Sequence, residues 1–96
     1  MTGDAKKRSF CLINGSFHPE DARLLLMTLV DDKINFHQRN DWSRRERFGE
    51  SDPATVRRIE ELRQTKLNID QLMAEVGSIG KKLSISCNIE IVLEPD

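Results

Sequence analysis

Each scarcity in this chain removes a class of protein. The two cysteines, Cys11 and Cys87, are too few for a disulfide framework. Neither sits in a CxxC pair or at zinc-ligand spacing from a histidine, so both read as buried free thiols in a reducing compartment. Three prolines and five glycines leave little to interrupt long elements. The longest apolar stretch, Leu24 to Val30, is broken by Thr28 and falls far short of the roughly 20 residues a membrane span needs. Behind Lys6, Lys7 and Arg8 the run Phe10 to Ile13 is shorter than the roughly 7–15 apolar residues of a secretory signal, so a cytoplasmic location is the expectation. Fifteen basic residues stand against 16 acidic ones, a net charge of −1 that offers no global field for nucleic acid or anionic lipid.

What is present is ordinary for a globular domain, 38% hydrophobic and 32% charged. Ninety-six residues make one domain, 1–96, with 1–7 expected as a disordered tail. A chain this short has a thin core.

Four elements follow from the patterning. Phe10, Cys11, Leu12 and Ile13 form a continuous apolar run before the turn-prone pair Asn14-Gly15, the pattern of a first strand covered on both faces. Pro19, Glu20 and Asp21 open a helix, with Ser16 or His18 as its cap. Ala22, Leu25, Leu26, Leu29, Lys33 and Phe36 recur along one stripe and Val30, Ile34 and His37 along a neighbouring one, predicting a helix from 19 to about 41 with a wide buried face. Ser43 to Glu46 matches a capping box for a further helical turn ended by Gly49. Ser51-Asp52-Pro53 is the clearest helix start. The helix after it carries Ile59, Leu62, Lys66, Ile69, Met73 and Val76 in a heptad seam and ends at Gly77 and Gly80. From Leu83 to Leu93, apolar residues alternate with mostly polar ones, the period of a strand with one dry face.

The order predicts an α+β domain of β–α–α–β type, an antiparallel two-stranded sheet covered by a long helical hairpin. Two packed helices cover about 20 Å, whereas two strands about 4.8 Å apart cover roughly half that. A lone two-stranded sheet is also marginal in water. Both difficulties shrink if the sheet continues into a second subunit. A homodimer or higher oligomer is therefore expected, with Phe10, Leu12, Ile13 and Lys66 at the interface.

Signals of function are few. Arg39, Arg44, Arg45, Arg47, Arg57 and Arg58 lie within twenty positions, with Trp42 and Phe48 among them, a combination able to hold phosphates or stack bases. Asp41, Glu46, Glu50, Asp52, Glu60 and Glu61 oppose that charge. Asn35 and His37 are candidates for a polar site shared between subunits, although a buried or boundary histidine bonded to its neighbours accounts better for His37. No nucleophile elbow, phosphate-binding glycine loop or cofactor motif is present, and no metal or cofactor is expected. The strings Ile34 to His37 and Glu46 to Gly49, followed by a long charged helix, have the look of small bacterial proteins, a likeness that brings no activity with it.

The expectation is a non-catalytic, self-associating interaction or assembly module, with room for a further protein partner and no membrane role. Behind it stand a binding module for nucleic acid or an anionic ligand built on Arg39, Arg44, Arg45 and Arg47, and an enzyme with a shared site near Asn35 and His37.

Overall fold

A computed structural model describes residues 7–95. The chain is an α+β domain of β–α–α–β order: β1 (Lys7–Phe17), α1 (Pro19–Phe48), α2 (Pro53–Ile79) and β2 (Leu83–Val92). The tail expected over 1–7 lies outside the described residues except at Lys7, which starts β1 and pairs with Glu90 at 3.1 Å.

α1 is one helix of 30 residues, about 45 Å long, and does not stop near Asp41. A capping box at Ser43 would have required breaking the backbone ladder. Ser43 to Phe48 contains no glycine or proline to force that break, so the ladder continues. Gly49 ends it at φ 79°, its N–H donating to the Arg45 carbonyl. His18 is the N-cap residue by backbone conformation, without a side-chain cap bond. Pro19 at the first position, with Glu20 and Asp21 beside it, accounts for the start.

α2 begins as its sequence indicates. The Asp52 carboxylate accepts from the Ala54 N–H at 3.2 Å and from the Thr55 hydroxyl at 3.4 Å. Gly77 stays within the helix, and Gly80, at φ 67°, ends it.

The two helices lie antiparallel along a heptad seam. On α2 the inward positions are Thr55, Ile59, Leu62, Lys66, Ile69, Met73 and Val76, spaced alternately four and three. On α1 they include Met27, Val30, Ile34, His37 and Asp41. Val30 and Ile34 pack on Ile59 and Leu62. Of the other α1 stripe, Ala22 is buried and Leu25, Leu26 and Leu29 are half-buried, whereas Lys33 and Phe36 are exposed. Two ion pairs tie the helices together: Arg23 to Asp70 at 2.6 Å and Lys66 to Asp31 at 2.8 Å.

β1 and β2 form a two-stranded antiparallel ribbon. Cys11 pairs with Asn88 and Ile13 with Cys87, which leaves Leu12 as an extra residue bulged from the ladder. The apolar run Phe10 to Ile13 therefore marks a bulge in β1 rather than a strand buried on both faces. Asn14 and Gly15 are not a turn either. They continue the ladder opposite Ser86 and Ile85.

Directly opposed residues share a face. The register thus gives the ribbon one mostly apolar face, with Phe10, Ile13, Gly15 and Phe17 on β1 and Leu83, Ile85, Cys87, Ile89 and Ile91 on β2, and with Arg8 opposite Ile91 at its outer end. Lys7, Ser9, Cys11, Asn14 and Ser16 face the other side with Ser84, Ser86, Asn88, Glu90 and Val92. Both cysteines are free, as expected, but Cys11 is exposed and only Cys87 is half-buried.

The hairpin packs against the ribbon mainly through α1, which touches both strands. Cover is confined to the ribbon's inner half. Ile13 is buried and Phe17, Leu83, Ile85 and Cys87 are half-buried, while Phe10, Ile89 and Ile91 farther out are exposed. The chain is accordingly flat and open, 49 × 42 × 15 Å, with a radius of gyration of 17.3 Å. A compact domain of this length has a radius near 12.5 Å.

Candidate functional site

The arginine-rich segment occupies the tip of the helical hairpin, where α1 ends and α2 begins. α1 carries Arg39, Arg44, Arg45 and Arg47 through its last turns, and α2 carries Arg57 and Arg58 near its start. The helix winds these side chains around its axis instead of gathering them on one side.

Acids hold several of them. Arg45 meets Asp41 at 3.5 Å, Arg58 meets Glu61 at 3.2 Å and Arg63 meets Glu60 at 3.8 Å. Arg44 stacks over the Phe48 ring at 5.3 Å. Arg39, Arg47 and Arg57 make no ion pair among the described residues. Trp42 is 59% and Phe48 65% exposed, so neither pins the tip to the core.

A cleft of about 510 Å³ opens between the helices at the tip, lined by Asp41, Trp42, Arg45, Ile59, Glu60 and Arg63 among others. Its charged groups already pair with each other, which leaves little uncompensated charge to aim at a ligand. A second hollow, on the other side of Trp42, is lined by Asn35, Gln38, Arg39, Trp42 and Ser43.

Asn35 and His37 do not converge. Two positions apart on a helix, they face different sides. Asn35 lines the outer hollow and His37 turns toward the seam. There His37 Nε2 and Asp41 Oδ1 are both buried without a hydrogen-bond partner. Asp41 thus both pairs with Arg45 and turns its second oxygen into the seam. Its spacing of four residues from His37 is visible in the sequence, but its inward turn depends on where the seam runs. Beyond the ring contact with Phe36, at 5.6 Å between centroids, nothing orients His37 as a base. No group of three or more metal-ligating side chains occurs among the described residues.

The interface candidates divide. Phe10 and Leu12 are exposed at 53% and 50%, Ile13 is 7% exposed within the chain's own core, and Lys66 bonds Asp31 of the same chain.

No protein-family model, curated protein or solved structure matches this chain. Its function must be read from its surface.

That surface is rich in large apolar side chains. Phe10, Leu12, Ile89, Ile91, Val92 and Leu93 are 40–68% exposed at the outer half of the ribbon and just beyond it. Leu24, Phe36, Leu67, Leu72 and Ile79 are exposed on the helices. None of the described helices is long and apolar enough to cross a membrane.

Proposed function

We propose that this chain is a non-catalytic, self-associating interaction or assembly module. The observation that carries the reading is the surface it leaves open. The chain exposes 7686 Å². A compact monomer of 11.1 kDa exposes about 5,700 Å². A full allowance of about 1,100 Å² for the seven residues outside the described range still leaves a surplus near 900 Å². That matches the roughly 800 Å² per partner of a standard stable interface.

The core supports the same reading. Among the described residues, seven hydrophobic side chains are buried and no large side chain is completely enclosed. Such a core leaves a 96-residue chain short of apolar burial. Association offsets that deficit. Native mass spectrometry of untagged protein tests the reading, with a dimer or higher oligomer expected. A monomer at every accessible concentration overturns it.

A second reading rests on the exposed Trp42 beside Arg39 and on the Arg44–Phe48 stack, which together resemble a weak platform for bases or anions. It is tested by titrating a labelled single-stranded oligonucleotide at low and high salt. Affinity that falls steeply with salt supports it, and no binding at low salt removes it.

A further inference from the structure

Among the described residues both edges of the ribbon are unpaired, and they are not equivalent. The β1 edge is guarded. Leu12 bulges from the ladder, a device that twists an edge away from foreign strands, and Arg8 places positive charge near its outer end. Cys11 Sγ, 3.7 Å from the Ile13 carbonyl oxygen, also occupies backbone at the bulge.

The β2 edge has no bulge, and Lys81 and Lys82 lie just before the strand, not within it. Leu83–Val92 pairs without a bulge, contains no proline, glycine or lysine, and has one charged residue, Glu90. Glu90 is already held by Lys7 on the neighbouring strand. An extended, β-branched edge of this kind is a template for another strand, and proteins do not leave such edges bare without a reason.

We infer that β2 is the joining strand: two copies of this chain pair β2 to β2, antiparallel about a two-fold axis, into a four-stranded sheet of order β1–β2–β2–β1. The inference rests on the self-association proposed above and specifies its geometry.

Three observations favour a second copy as the occupant. First, the open surplus per chain is that of a stable dimer interface, as given above. Second, antiparallel pairing about an axis on a β2 residue keeps odd positions opposite odd ones, so the apolar face runs unbroken across both copies. With the axis near Cys87, Ile85 falls opposite the second copy's Ile89 and Leu83 opposite its Ile91. Glu90 then falls opposite Ser84, so no like charges meet. Third, the gradient of exposure along the ribbon is the one this symmetry uses. The hairpin covers only the inner half of its own apolar face, leaving Phe10, Ile89 and Ile91 bare. Antiparallel pairing sets the inner half of one ribbon beside the outer half of the other, on the same face. Each hairpin then lies next to the bare residues of the opposite copy.

Residue-resolved amide hydrogen exchange on the unmodified protein, at concentrations above and below the dissociation midpoint, tests the geometry. The β2 amides that point away from β1 form an alternating set. They are expected to exchange about tenfold or more slowly in the associated state and to lose that protection on dilution. The outward amides of β1 are expected to exchange fast throughout. A dimer in which β1's outward amides, and not those of β2, gain protection overturns the β2 pairing while leaving self-association intact. So does a dimer whose two edges both exchange fast. A monomer with no concentration dependence overturns both.

Discussion

Phe10 and Ile13 stand three positions apart in β1 yet face the same side of the ribbon, because Leu12 is bulged out of the ladder between them. Strict alternation counted from Ile13 would instead have brought Cys11 and Ser9 to the apolar face. The bulge recovers an aromatic residue for that face, opposite Ile89, and disturbs the outer edge of β1.

Deleting Leu12 should therefore leave every remaining pair in register and remove only the edge device. Strand content by circular dichroism is expected to stay constant while light scattering reports more higher-order association. Loss of strand content instead would mean that the ladder itself depends on the bulge.

Phe10 is 53% exposed within the chain, so Phe10→Ser should cost the isolated fold little. If the outer half of the apolar face is covered on association, losing that ring weakens the dimer by about tenfold or more, as sedimentation equilibrium would read. An unchanged dissociation constant would take Phe10 out of the interface.

Ile59→Ala should destabilise the fold by about 2–4 kcal/mol, because Ile59 is 7% exposed and sits at the centre of the hairpin seam beside Ile34 and Leu62. Leu24→Ala, at a position 68% exposed, should stay within about 0.5 kcal/mol. Urea unfolding at one fixed protein concentration compares them. Equal losses would show that Leu24 is covered in the associated state.

Lys66 occupies a seam position but pairs with Asp31 at 2.8 Å, with 43% of its side chain exposed. A half-exposed ion pair contributes at most about 1 kcal/mol, and a methionine at a seam position adds apolar contact. Lys66→Met should accordingly leave stability within about 1 kcal/mol of the parent or raise it. A loss beyond about 2 kcal/mol in the same urea assay would mark Lys66 as setting helix register.

Much of the architecture was legible because local rules fix it. The heptad spacing from Ile59 to Val76 is the seam that packs, and Asp52 and Gly80 bound α2 through capping chemistry confined to a few residues. The alternation from Leu83 onward placed β2 to within one residue. The candidate site was less legible. Arg39 to Arg58 read as a cluster along the chain, but a continuous α1 turns those side chains to several sides, and acids pair Arg45 and Arg58. Asn35 and His37, two positions apart in the chain, are separated by the helix's own rotation.

The sequence by itself determined the four elements, their order and the α2 stripe that faces inward, because capping and periodicity are properties of neighbouring residues. Only the tertiary structure decided that Leu12 is bulged and that cover of the ribbon ends before Phe10. The bulge and the cover depend on how β1 registers against β2 and where α1 meets both strands. Those are contacts between residues as many as 85 positions apart, such as Lys7 and Val92, whose alignment no local pattern encodes.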